Sequence, residues 1–151
     1  QSPSSAASDV YKRQLYTDPH DAARTVLAEG LIRLGVISQS LDEALDPETG
    51  DLRKWYMHNT SHWIGLDVHD AGVYKPGGTP RVLEPGMCLT IEPGLYFGAW
   101  RPDVDCPERY ANIGIRIEDD VLITTDGPVV LTADCPKSID DIENIVGQDL
   151  A

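Results

Sequence analysis

Basic residues are scarce in this sequence: 12 Lys and Arg stand against 25 Asp and Glu, giving a formal charge of -13 over 151 residues. A nucleic-acid backbone or an anionic bilayer would repel such a chain, which argues against either as a partner. Long apolar runs are lacking too. No stretch approaches the length needed to span a bilayer and no basic-then-apolar leader is visible, so the expected location is the cytoplasm. Cysteine is limited to Cys88, Cys106 and Cys135, an odd number set far apart with no Cys-x-x-Cys pair, which argues against a disulfide framework and a thiolate zinc site. Cys88 alternates within a strand-like run, while Cys106 and Cys135 precede prolines. All three are expected to be reduced and to serve packing. There is no internal repeat and no His-Glu-x-x-His motif. What the chain does have is 41% hydrophobic residues, enough for a real core in one domain.

The first residue is Gln, and residues 1–14 show no hydrophobic period. This segment resembles translated adapter sequence at the end of an incomplete reading frame, and is expected to be a disordered or artefactual tail before a domain at 15–151. From Asp21 to Ile37 the residues Ala23, Val26, Leu27, Leu31 and Leu34 recur at helical spacing, with Asp18 or Asp21 as cap and Gly35 as stop. Gly30 within it implies a close contact or a shorter helix, because an interior glycine costs about 1 kcal/mol relative to Ala. A short helix is expected at Ser40–Ala44, before an Asp46–Gly50 turn. Beyond Tyr56 the period becomes extended. Leu66 and Val68, then Met87, Leu89 and Ile91, then Ile113, Ile115 and Ile117 each alternate with polar residues, predicting three strands with one face on a core. Turns are expected at Lys75–Pro80, Glu84–Gly86, Pro93–Gly94 and Asp126–Pro128, and a closing helix at Ser138–Val146. The fold class is therefore α+β.

The chemistry is concentrated. His58, His62 and His69 stand with Asp67 and Asp70 in the stretch from His58 to Asp70, a density that folding does not require. Gly65 and the alternation after it disfavour one helix carrying all three imidazoles, so loop followed by strand is expected. Pro93 keeps Glu92 extended at a strand end, which aims its carboxylate. In the third strand Arg116, Glu118 and Asp120 share a face opposite the isoleucines, and Gly114 beside them leaves room for something to approach. One imidazole and two carboxylates from separate strands suit Mn²⁺, Co²⁺ or Zn²⁺, and carboxylates can bridge a pair of ions. Two-metal hydrolases use such pairs to lower the pKa of a bridging water.

Three segments, Ser61-His-Trp-Ile-Gly-Leu-Asp-Val-His-Asp70, Leu83-Glu-Pro-Gly-Met-Cys-Leu-Thr-Ile-Glu-Pro-Gly-Leu-Tyr96 and Gly114-Ile-Arg-Ile-Glu-Asp-Asp120, resemble in order and interval the carboxy-terminal half of aminopeptidase P, the Xaa-Pro aminopeptidase of the pita-bread metallopeptidases. The likeness covers roughly residues 31–146. It implies half of an α/β pita-bread domain, an antiparallel curved sheet with flanking helices, and places residues 15–151 in a partial catalytic domain. It further implies removal of the residue before proline by the hydroxide of a dinuclear centre, usually manganese, and a homo-oligomeric parent. In that family the residues matching His62, Glu92 and Glu118 are metal ligands, and the one matching Glu92 is also general base. Those matching His58 and His69 contact substrate or stabilise the reacting carbonyl, and those matching Tyr96 and Arg116 line the proline side. The alternatives are a prolidase and a pita-bread module that binds peptide without catalysis. The family's paired aspartates and Thr-Arg-like run are not found upstream of the helix, since Asp9 and Asp18 stand in another context, and a further substrate-orienting histidine is missing as well. Without two cations Glu92 and Glu118 would repel. The 151-residue chain alone is thus expected to bind one divalent ion weakly and to show little or no peptidase activity.

Overall fold

The computed structural model describes residues 14–147, so the tail predicted at 1–14, apart from Gln14, and the last four residues lie outside it. Helix α1 spans Asp18–Arg33. Pro19 fits its first turn, where an N–H would have no helical partner, and this starts the helix before the predicted Asp21. It also ends earlier than Ile37. Gly35, at φ +70°, lets its own N–H reach the Ile32 carbonyl at 3.0 Å and the Val36 N–H reach Leu31 at 2.9 Å, which closes the helix. Asp18 caps nothing in α1; it accepts from the Leu15 N–H at 2.8 Å. Gly30 stays inside the helix with open space where a side chain would stand, so of the two expectations for it the close contact is absent and the shorter helix, ending before Ile37, is found. Helix α2, Leu41–Ala44, begins at a reciprocal capping pair of Ser40 and Glu43.

These helices bury Ala28, Leu31 and Ala44 against Ile37, Leu52, Trp55, Tyr56 and Phe97, the first of two cores. The second lies under a sheet. Strands β1 (Cys88–Ile91), β4 (Asp119–Thr124) and β5 (Gly127–Val130) form an antiparallel sheet in the order β1-β4-β5, and β2 (Gly94–Tyr96) pairs with β3 (Gly114–Arg116) in a separate ribbon. Trp63, Leu83, Leu89, Val121 and Ile123 make the core beneath the larger sheet. Burying a leucine such as Leu89 stabilises by roughly 2 kcal/mol. The face of β1 that carries Met87, Leu89 and Ile91 packs as its alternation predicts. Helix α3, Ile139–Ile145, starts at Ser138, whose hydroxyl accepts from the Asp141 N–H.

Other expectations fail. Residues 64–72 form no strand, and Leu66 is fully exposed with Val68 71% exposed, because among the described residues no strand lies alongside to pair with them. Ile113, Ile115 and Ile117 are likewise exposed: among the described residues β3 pairs only with β2, and it is Leu95 in β2 and Phe97 just beyond it that reach the first core. Pro93–Gly94 is not the expected turn, since Gly94 has no positive φ and simply begins β2. Glu84–Gly86 does turn, with Gly86 at φ +95° and the Met87 N–H on Glu84. Cys135 is exposed and not packed, while Cys88 and Cys106 are half-buried and all three are free thiols. The β4 strand itself was not anticipated.

Candidate metal centre

The two ladders keep one register. Ile91 faces Asp119 at the end of the larger sheet and Gly94 faces Arg116 at the start of the ribbon, with the Ile117 N–H on the Pro93 carbonyl between them. Glu92 and Glu118 are therefore opposite one another in a gap where the ladder pauses, Pro93 having no N–H to donate. Directly opposed residues of an antiparallel pair project to the same side, so two carboxylates are set face to face. On its other edge β1 is flanked by residues 60–64. The Thr90 N–H donates to the His62 carbonyl at 3.0 Å and the Glu92 N–H to the Thr60 carbonyl at 2.7 Å, while Trp63 bridges Leu89. That pairing brings His62 to the same side. Ligand atoms of His62, Glu92 and Glu118 all lie within 4.8 Å of one another.

Each oxygen of Glu92 is engaged. Its Oε1 accepts from the Thr90 hydroxyl at 2.9 Å and faces His62 Nε2 at 3.2 Å, and Oε2 lies 3.5 Å from Arg116 Nη1. Thr90 is fully buried, and its hydroxyl also accepts from the His62 N–H at 3.0 Å. At His62 the Nδ1–H donates to its neighbour's carbonyl, Trp63, at 3.1 Å. Nε2 then carries the lone pair in the neutral ring. A lone pair pointed at a carboxylate oxygen is stable only if a proton or a cation stands between them. One imidazole nitrogen and two opposed carboxylates fit a divalent transition ion in donor chemistry and in charge. Glu118 is exposed, and among the described residues its carboxylate accepts no hydrogen bond.

His58 belongs to a different chain of contacts. Its Nδ1–H donates to the Asn59 carbonyl at 2.7 Å, so Nε2 accepts from the Tyr96 hydroxyl at 2.9 Å, and the phenol oxygen accepts in turn from Arg116 Nε at 2.8 Å. The Tyr96 hydroxyl is the main cause that raises the Arg116 pKa, although the guanidinium is largely exposed. Gly114 has its explanation here: a side chain there would press on the Tyr96 ring at 3.3 Å. His69 meets His62 edge to face, centroids 4.4 Å apart.

All four histidines of the sequence line one open cleft of about 1040 Å³, together with Glu92, Arg116, Tyr16, Tyr74 and Lys75. His20 was not singled out by sequence. It sits within 2.9 Å of the buried Thr60 hydroxyl, itself in contact with the Tyr56 hydroxyl, and burial first, then Arg24, lowers its pKa from 6.5. Thr90 and Tyr16 were missed because each has a partner distant in sequence, His62 for Thr90 and Ser61 for Tyr16. The Tyr16 hydroxyl donates to the Ser61 carbonyl, and burial raises its pKa well above the usual value. The Ser61 hydroxyl is buried without a partner among the described residues. Behind this wall Trp63 stacks on Tyr74 and tilts against Tyr16.

Comparison with known proteins gives one family model, Metallopeptidase family M24, matching residues 5–125. The Xaa-Pro aminopeptidase of Escherichia coli is 46% identical over 121 residues, which are 80% of this chain and 26% of that protein. Aminopeptidase PepP of Pseudomonas aeruginosa superposes with a TM-score of 0.80 at 39% identity, over 93% of this chain and 31% of its own. Zinc-substituted E. coli aminopeptidase P in complex with product gives 0.74 at 40% identity, over 93% and 31%. The chain spans about a quarter of the length of the curated relatives it matches.

Proposed function

The chain belongs to metallopeptidase family M24, and we propose that its protein is a metallo-exopeptidase that removes the amino-terminal residue from peptides with proline in second position. The observation that carries this reading is the convergence of His62, Glu92 and Glu118 ligand atoms within 4.8 Å, on strands whose register sets the two carboxylates face to face. In this reading residues 15–151 form part of the catalytic domain. His62 through Nε2, Glu92 and Glu118 hold divalent ions, two Mn²⁺ by preference, with Co²⁺ or Zn²⁺ as alternatives. Bound there, such ions would polarise the scissile carbonyl and bring the pKa of a water towards neutrality.

Glu92 takes up a proton as general base, its carboxylate held in place by Thr90 and Arg116. His58 and His69 face the peptide from the cleft wall. Tyr96 and Arg116 line the proline side, where the Arg116–Tyr96–His58 chain fixes which nitrogen of His58 carries the proton. No helix among the described residues is long and apolar enough to cross a membrane, and we place the protein in the cytoplasm as a homo-oligomer.

The test is the full-length protein with Mn²⁺ and a tripeptide whose second residue is proline. Release of the first amino acid, lost in Glu118→Gln, supports the reading. Cleavage confined to Xaa-Pro dipeptides would make it a prolidase, and no cleavage with Mn²⁺, Co²⁺ or Zn²⁺ would refute it.

A further inference from the structure

Glu118 is the proposed ligand that no side chain among the described residues holds by a hydrogen bond or ion pair. His62 is fixed through Nδ1 and its backbone, and Glu92 by Thr90 and Arg116, so the position of Glu118 depends on the backbone that carries it. On one side that backbone leads into β3, an exposed strand of a two-stranded ribbon. On the other side it enters β4 at Asp119, where the segment following β5 folds back and grips the strand.

The grip is fully connected. Asp119 Oδ1 accepts from the Thr132 hydroxyl at 2.6 Å and from Lys137 Nζ at 2.9 Å. The Thr132 oxygen also accepts from the Asp120 N–H at 3.1 Å, and the Leu131 N–H donates to the Asp120 carbonyl at 2.8 Å. Lys137 Nζ further donates to the carbonyls of Thr132 at 3.0 Å and Cys135 at 2.9 Å. An ammonium has three protons, and here each has an acceptor. Both partners of the ion pair are only about one quarter exposed, 28% and 24%. An ordinary surface pair leaves the lysine free to swing and contributes little. This one ties residues 131–137 to the two residues that follow Glu118.

We infer that Lys137, acting through Asp119 and with Thr132, is a positioning residue that sets the divalent-cation affinity of the site by fixing Glu118 opposite Glu92. The inference rests on the metal reading given above. Groups beyond the ligand shell that orient ligands commonly govern affinity by 10- to 100-fold.

The experiment is a Mn²⁺ titration of the full-length protein, following free Mn²⁺ by electron paramagnetic resonance, with wild type, Lys137→Met, Thr132→Val, Thr132→Ser and Glu118→Gln. The metal-free melting temperature of each is measured alongside. Lys137→Met and Thr132→Val are expected to weaken Mn²⁺ binding about tenfold, and Thr132→Ser, which keeps the hydroxyl, to stay near wild type. In a Glu118→Gln background Lys137→Met should add nothing, because its route to the ion is gone. Binding within about twofold of wild type in both Lys137→Met and Thr132→Val overturns the inference, whatever happens to the melting temperature. So does an equal loss on Lys137→Met with and without Glu118, the mark of general loosening. If Lys137→Met does not fold, Thr132→Val and its serine control decide. Wild-type protein that takes up no Mn²⁺ overturns the metal reading itself, and this inference with it.

Discussion

Thr90→Val isolates the contribution of one hydroxyl to the whole site. Valine matches threonine in shape, so at this fully buried position the substitution opens no cavity and changes only hydrogen bonding. Two bonds go: the one donated to Glu92 Oε1 at 2.9 Å and the one accepted from the His62 N–H at 3.0 Å. A hydrogen bond to a charged group contributes about 1.5–3 kcal/mol, and a buried N–H left without a partner costs about 1–3 kcal/mol. The two losses share one atom and do not simply add, so destabilisation of about 2–4 kcal/mol is expected. Urea unfolding of the metal-free protein should show it as a lower midpoint at unchanged slope. Mn²⁺ binding should weaken about tenfold, since Glu92 loses a donor that aims it. Thr90→Ser should recover most of both. A loss below about 0.5 kcal/mol, or a serine variant as unstable as the valine one, would refute the role given to the hydroxyl.

Tyr96→Phe removes the bridge between Arg116 and His58 in a partly exposed place, so stability should fall by no more than about 1 kcal/mol. Turnover of an Xaa-Pro peptide should fall about 10- to 100-fold, and unchanged kcat would remove Tyr96 from the working site. Burial, followed by Arg24, lowers the His20 pKa below 6.5, so the folded protein binds fewer protons there than the unfolded chain. The stability this confers is complete above pH 6.5 and is lost as pH falls towards the folded value. His20→Gln should accordingly flatten the pH dependence of unfolding just below pH 6.5, and an unaltered slope would count against it. Gly72→Ala would drive a methyl group into the Trp63 indole, 2.8 Å from Nε1, at a cost of about 1–3 kcal/mol in a denaturation experiment. A neutral result would mean that the loop yields freely.

Local signals were legible in the sequence and distant partnerships were not. The short helix at Ser40–Ala44, the Gly35 stop and the apolar face of β1 depend on residues a few positions apart, and each could be read directly. Of the three residues brought within 4.8 Å, Glu92 and Glu118 stand out on their own strands, whereas His62 is singled out among three neighbouring histidines by the family resemblance. Thr90 looked like an ordinary strand residue, since nothing nearby reveals that its hydroxyl joins His62 to Glu92. His20 stood alone in a helix start, and the Thr60 hydroxyl and Tyr56 ring that it meets lie far along the chain. Alternation of Leu66 with Val68, and of the three isoleucines, gave a strand period without a partner to bury it. Period reports how side chains alternate, whereas burial depends on what lies opposite.

The pause in the ladder has a consequence for how this site can change over time. Glu92 and Glu118 meet because they occupy matching counts from the paired residues on either side of them. The connection between Phe97 and Asn112 closes the ribbon at its far end, so a change in its length leaves unaltered which residues oppose. One residue gained or lost between Ile91 and Gly94, or between Arg116 and Asp119, would turn one carboxylate to the other face. Substitutions can weaken the centre by degrees, but an insertion in either short segment removes it in a single step.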